Sequence, residues 1–92
     1  MDELTRKRLE HNEQVFRAVN EEIDDRAEGA PERDYVCECA DTGCADTIRL
    51  TRGEYVHIRA GESRYVVVSG HQVTGLERVV EEHETYLIVE KL

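Results

Sequence analysis

The chain has 92 residues, a formal net charge of −9 and 39% hydrophobic residues. This length predicts one domain with a small core, and domains of this size often need a metal ion, a disulfide or a partner for stability. The acidic charge opposes nucleic-acid binding, because attraction to phosphates requires clustered Lys and Arg. The longest apolar runs, YVVV and YLIV, are too short to form a membrane-spanning helix.

The N-terminal residues and the cysteines together indicate the compartment. The chain begins MDELTRKRLEHNEQ, which is charged and lacks the apolar run of a secretory signal. It holds 3 cysteines, and an odd number argues against a disulfide framework and for thiols that stay reduced. We therefore expect a cytoplasmic protein with no membrane partner.

Residues 2–28 are predicted to form one long helix, with Asp2 and Glu3 suited to its positive N-terminal end. Gly29 can take the left-handed cap conformation, and Pro31 prevents the helix from continuing. The apolar residues recur at helical spacing and are expected to form one buried stripe. The members of this stripe are Leu9, Phe16, Val19, Ile23 and Ala27.

Two asparagines, Asn12 and Asn20, lie beside Phe16 on this stripe, where an amide is unfavourable. We expect both to lie at the edge of the stripe and to hydrogen-bond to a neighbouring loop. The alternative is that the helix contacts another chain, where an amide can fix the register of pairing.

After the helix the pattern changes to alternation, which predicts strands. The predicted strands are DYVCE, DTIRLT at 46–51 and SRYVVVSG, followed by a hairpin of 77–82 with 85–90 that turns at EHET. Thr51 and Glu54 form a capping-box pattern, so RGEYVHIRA is predicted to be a short helix that Gly53 weakens and Gly61 ends. A helix over 76–83 is an open alternative to the first strand of the hairpin.

The predicted fold class is α+β: a long N-terminal helix, then a small antiparallel sheet with a zinc knuckle and one short helix. We divide the chain into the helix at 1–30 and a zinc-binding α+β part at 31–92, within one compact domain.

All three cysteines lie in the segment YVCECADTGC, at Cys37, Cys39 and Cys44. A disulfide between positions i and i+2 is strained, but both thiolates can face one ion across a tight turn. Gly43 allows such a turn before the third thiol. Cysteines that merely fill a core are the alternative, but they would not normally cluster among Asp, Thr and Gly. A thiolate-rich site favours Zn²⁺, and iron remains open.

Tetrahedral zinc requires a fourth ligand. We choose His71, because it follows Gly70 at the end of a predicted strand, where glycine permits a sharp change of direction. The predicted metal ligands are therefore Cys37, Cys39, Cys44 and His71. The other candidates are His11, His57, His83, Asp41 and Asp46.

The sequence resembles a family of small, acidic bacterial proteins of unassigned activity. Their layout has an N-E-x-x-F-R-x-x-N-E helix, an F/Y-V-C-E-C segment with a third Cys, an L-T-x-x-E-Y-x-x-x-R helix, a V-V-x-x-G-H strand end and a terminal V-V-E-K. The matching positions here are 12–21, 35–44, 50–59, 66–71 and 88–91. The resemblance implies that the three cysteines and His71 form one site, and it implies no activity. Gly53 departs from the layout, which predicts a less stable short helix.

The leading functional prediction is a structural Cys3His zinc protein that acts as an interaction or regulatory module and is not an enzyme. We expect a protein partner with a basic surface, and a homodimer through the N-terminal helix is a further hypothesis. A redox-responsive zinc-thiolate regulator is the main alternative. A catalytic zinc with Glu38 or Asp41 as base, or a cysteine nucleophile activated by His71, is less favoured.

A nucleic-acid-binding zinc ribbon is a weaker alternative. It depends on the arginines of the middle segment, which we expect instead to form local ion pairs on a solvated face. These residues are Arg49, Arg52, Arg59 and Arg64.

Overall fold

The computed structural model describes residues 2–26 and 31–92. Two helices and five strands follow one another along this part of the chain, as expected for an α+β protein. In order they are α1 (Glu3–Arg26), β1 (Glu32–Val36), β2 (Thr47–Thr51), α2 (Arg52–Arg59), β3 (Arg64–Val68), β4 (Glu77–Glu82) and β5 (Tyr86–Lys91).

Helix α1 begins where expected, because the carboxylate of Asp2 accepts a hydrogen bond of 2.8 Å from the backbone N–H of Thr5. Its predicted end lies outside the described residues, as do Ala27 and the cap residue Gly29. No helix within 2–26 or 31–92 is long and apolar enough to cross a membrane.

The predicted buried stripe of α1 is only partly correct. Leu9, Phe16 and Ile23 are half-buried, but Val19 is 42% exposed. The fully buried residues of the helix are instead Glu13 and Asn20. Adjacent helical residues are about 100° apart around the axis, so burying Asn20 turns Val19 outward.

The two asparagines hydrogen-bond to the chain beside the cysteines, as expected. The amide N–H of Asn12 donates to the backbone carbonyl of Ala40 at 2.8 Å, and that of Asn20 donates to the carbonyl of Val36 at 2.8 Å. The expectation that both lie at the edge of the stripe is wrong for Asn20, which is fully buried. These amides bind within the same chain, so they do not set the register of a pair of helices.

The strands form two antiparallel sheets where the sequence analysis expected one. β1 pairs with β2, and the other sheet has the order β3-β5-β4. The chain passes directly from β2 into α2 and so leaves the first sheet. β3, which follows α2, begins the second sheet. The predicted hairpin at the C-terminus is confirmed as β4 and β5, with an irregularity between Val79 and Glu81, and the helical alternative is wrong.

The capping box of α2 is confirmed. The side chain of Thr51 accepts from the backbone N–H of Glu54 at 3.1 Å, and the carboxylate of Glu54 accepts from the backbone N–H of Thr51 at 2.8 Å. These two bonds satisfy N–H groups that a helix start leaves unpaired, so the helix forms despite Gly53.

The core lies between α2 and the two sheets. The rings of Tyr35 and Tyr55 stack with centroids 4.2 Å apart, and this contact joins β1 to α2. Cys37 and Cys39 belong to the same buried cluster. The cysteine segment therefore starts inside the core and then emerges at its surface.

Candidate metal centre

The first two thiols follow β1 directly. Cys37 and Cys39 are each 1% exposed, and the backbone N–H of Cys37 bonds to the carbonyl of Asp46 at 3.0 Å. This bond continues the pairing of β1 with β2 by one position, so the direction of Cys37 is set by the sheet. The predicted strand DYVCE thus begins earlier than expected and ends before the thiols.

A tight turn brings the third thiol back toward the first two. The backbone N–H of Cys44 donates to the carbonyl of Asp41 at 3.0 Å, and the N–H of Gly43 donates to the Asp41 carboxylate at 2.8 Å. Asp41, considered above as a ligand or base, therefore shapes the turn. Cys44 is half-buried, so the turn leaves one sulfur partly open to solvent.

His71 comes from a distant part of the chain. β3 ends at Val68, and the backbone N–H of His71 donates to the carbonyl of Val68 at 2.9 Å, which closes a turn. Gly70 in this turn has φ of +95°, a value that side-chain-bearing residues rarely adopt. The glycine thereby places the imidazole beside the thiols, as predicted.

The three sulfurs and the His71 ring form one compact cluster. Nδ1 of His71 lies 3.6 Å from the sulfur of Cys37 and 3.5 Å from that of Cys44. In tetrahedral zinc sites, bond lengths of about 2.3 Å to sulfur and about 2.0 Å to nitrogen place these atoms about 3.5 Å apart. The four ligand atoms all lie within 4.8 Å of one another, so the cluster could hold a metal ion.

Burial keeps the thiols of Cys37 and Cys39 protonated when no ion is bound. It raises the pKa of Cys37 well above the ordinary value of 9.0, and the proximity of Cys39 adds to this effect. Burial likewise raises the pKa of Cys39. A hydrogen bond of 3.2 Å from the backbone N–H of Val68 to the Cys37 sulfur acts in the opposite direction. A bound divalent cation would supply the positive charge that these buried thiolates lack.

The second ring nitrogen of His71 faces a carboxylate. Nε2 of His71 lies 3.5 Å from Oδ2 of Asp46. A carboxylate in this position orients the imidazole and favours the proton on Nε2, which leaves Nδ1 free to bind a metal. Asp46, named above as a rival ligand, is thus placed to support His71.

Glu38 is a buried residue of the centre that sequence reasoning did not identify as a support. It is 0% exposed, and its carboxylate accepts hydrogen bonds from the Asn20 amide, the Tyr55 hydroxyl and the Val66 backbone N–H at 2.9, 3.1 and 3.0 Å. Burial raises the pKa of Glu38, and these hydrogen bonds oppose the rise. The only feature of the sequence that points to Glu38 as a support is its position between two predicted ligands.

The other histidines lie outside the cluster. Among the described residues, the only group found that could hold a metal ion is the Cys3His group. His57 and His83 both face the carboxylate of Glu81, at 3.0 and 3.2 Å, and His11 is exposed on α1.

The middle-segment arginines are paired with carboxylates, as expected. The shortest nitrogen–oxygen distances are 3.1, 3.6, 2.7 and 3.2 Å, for Arg49 with Glu32, Arg52 with Asp24, Arg59 with Glu21 and Arg64 with Glu90. Their charge is therefore compensated locally, which argues against a phosphate-binding surface.

The fold and the cluster define a class: a small α+β protein with a Cys3His group that could hold a metal ion. Comparisons with protein-family models, curated proteins and solved structures found no match for this chain. The resemblance to small acidic bacterial proteins therefore stays a prediction.

Proposed function

We propose that the protein is a structural zinc protein, with Zn²⁺ held by Cys37, Cys39, Cys44 and His71. The observation that carries the proposal is the close approach of Nδ1 of His71 to two sulfurs, at 3.5 and 3.6 Å. Four protein ligands would complete a tetrahedral coordination sphere and leave no position for water or substrate, which favours a structural ion over a catalytic one.

The position of the cluster supports a role in folding. Its ligands come from the end of β1, from the turn before β2 and from the turn after β3, so one ion would join both sheets. In a domain this small, binding free energy of a structural ion adds directly to the free energy of unfolding.

Native mass spectrometry tests the proposal on the purified wild-type protein and on Cys44→Ala and His71→Ala. We expect one zinc per wild-type chain and weakened retention in both variants. His57→Ala is the matched control, because His57 is an exposed histidine on α2 outside the cluster. Absence of metal from a folded wild-type protein with three free thiols would exclude the proposed site, and a coloured protein would indicate iron.

We further propose that the protein acts in the cytoplasm as an interaction or regulatory module, with α1 as a contact surface. Leu4, Val15 and Val19 are 80%, 47% and 42% exposed, and they fall within about 60° of one another around the helix. The net charge of −9 favours a basic partner. Sedimentation of the wild type and of Val15→Ser/Val19→Ser tests the homodimer: a concentration-dependent dimer should be lost in the variant, and a monomer at all concentrations would exclude it.

Redox control of the same site is the second candidate function. Cys37 and Cys39 are buried, but Cys44 and His71 are only half-buried, so an oxidant can reach the site from their side. In such a reaction, two thiolates give two electrons to hydrogen peroxide and form a disulfide. The O–O bond of the peroxide breaks, and its two oxygen atoms take up two protons from solvent to form two water molecules. The zinc ion then leaves. Zinc release by mild peroxide, reversed by dithiothreitol, would support this function, and a site unaffected by peroxide would exclude it.

A further inference from the structure

Helix α1 is hydrogen-bonded to the segment that carries two of the thiols. The side-chain amide of Asn20 pairs with both backbone groups of Val36: its oxygen accepts from the N–H at 2.7 Å and its nitrogen donates to the carbonyl at 2.8 Å. Asn12 donates to the carbonyl of Ala40 at 2.8 Å. Val36 immediately precedes Cys37 and Ala40 immediately follows Cys39, so these bonds bracket the two ligands.

Glu38, between the two cysteines, joins the same segment to three other elements. Its carboxylate accepts from Asn20 on α1, from Tyr55 on α2 and from the backbone of Val66 on β3. Its own backbone N–H donates to the carbonyl of Val66 at 2.8 Å. The peptide that carries Cys37 and Cys39 is therefore fixed on both sides of each thiol.

These contacts require the helix and the cysteine segment to be ordered together. Asn20 and Glu38 are both 0% exposed, and undocking of α1 would break the two bonds of Asn20 to Val36 and take one donor from the buried carboxylate of Glu38. Unpaired buried polar groups are strongly unfavourable. Asn20 is one of the two fully buried residues of α1, so docking of the helix depends in part on polar bonds that exist only when the cysteine segment is in place.

We propose that Asn20 and Glu38 are positioning residues of the metal centre, and that ion binding and docking of α1 are thermodynamically coupled through them. The inference rests on the proposed zinc site. Because coupling is reciprocal, a variant that loosens the helix weakens zinc binding, and loss of zinc loosens the helix by the same free energy. The outer surface of α1 thereby becomes sensitive to the metal content of the protein.

Zinc affinity and the visible spectrum of bound Co²⁺ test the first direction, in the variants Asn20→Ala and Glu38→Gln. We expect zinc affinity, measured by competition with a chromophoric chelator, to fall about 10- to 100-fold, with a changed Co²⁺ spectrum. Val89→Ala weakens the core at β5 without removing a bond of α1, and this control should keep the wild-type affinity and spectrum. Equal losses in a control and in Asn20→Ala would overturn the proposal.

Hydrogen exchange of the unmodified chain tests the second direction, even if a variant fails to fold. After removal of Zn²⁺, we expect the backbone amides of 13–20 to lose protection more than those of β5. Equal protection of α1 with and without zinc, or an equal loss in α1 and β5, would overturn the coupling while leaving the zinc site intact. Failure of the wild type to bind Zn²⁺ would overturn both.

Discussion

Nε2 of His71 lies 3.5 Å from Oδ2 of Asp46, on the side of the ring opposite the nitrogen that faces the thiols. The carboxylate that faces the histidine thus belongs to a residue only two positions beyond the third cysteine. The same short segment therefore contains one proposed ligand, Cys44, and a carboxylate that faces another, His71.

Asp46→Asn should weaken zinc binding by no more than about tenfold. The side chain of Asp46 is 60% exposed, so water can partly replace its contact with Nε2 of His71 in the variant. Competition with a chromophoric chelator measures the change. Asp34→Asn removes the same charge at an exposed position of β1 and should leave the affinity unaltered. Unaltered affinity in Asp46→Asn as well would show that the carboxylate does not orient the ring.

Removal of zinc should lower the thermal midpoint of the wild-type protein, because the proposed ion would join segments that are otherwise held by a small core. Scanning calorimetry before and after treatment with a strong chelator, and again after addition of Zn²⁺, measures the effect. His71→Ala should show little response to the chelator. A wild-type midpoint that is the same in all three samples would contradict a structural role for the ion.

Glu13 predicts a particular dependence of stability on pH. Its burial in the contact between α1 and the C-terminal hairpin, close to Glu77, raises its pKa from 4.5 to about 9. Between about pH 5 and pH 9 the folded protein therefore holds a proton that the unfolded chain has released. Each rise of one pH unit across this range lowers the free energy of unfolding by up to about 1.4 kcal/mol.

Glu13→Gln should remove this contribution, so that the stability of the variant relative to the wild type rises with pH. Urea unfolding at several pH values between 5 and 9, with zinc held at saturation, measures the difference. Glu82→Gln, at an exposed position of β4, is the control for loss of one carboxylate. A constant difference between wild type and Glu13→Gln across this range would show that Glu13 is ionised in the folded protein.

Thr51→Ala should lower the free energy of unfolding by about 1 kcal/mol, because it removes the side-chain oxygen that caps α2. Thr47→Ala, on an exposed position of the same strand, controls for loss of a threonine from β2. Chemical denaturation at constant zinc concentration compares the two. Equal small effects would indicate that the cap contributes little beyond strand propensity.

Features that depend on neighbouring residues could be predicted from the sequence. The capping box of α2 needs only Thr51 and Glu54, and the hairpin of β4 and β5 needs only alternation around a polar turn. The three thiols lie within eight positions, so their gathering at one turn was also predictable. The choice of His71 had a local reason in Gly70, although three other histidines were available.

The sequence by itself determined the order of helices and strands and the grouping of the three thiols, because hydrogen bonding within a turn and side-chain alternation act over a few residues. Only the tertiary structure decided which side of α1 is buried. Periodicity favoured Val19, but the segment beside Cys37 offers backbone groups that an amide can pair and a valine cannot, so Asn20 faces inward. Bonds of this kind join residues 16 positions apart, and their existence depends on how the helix docks.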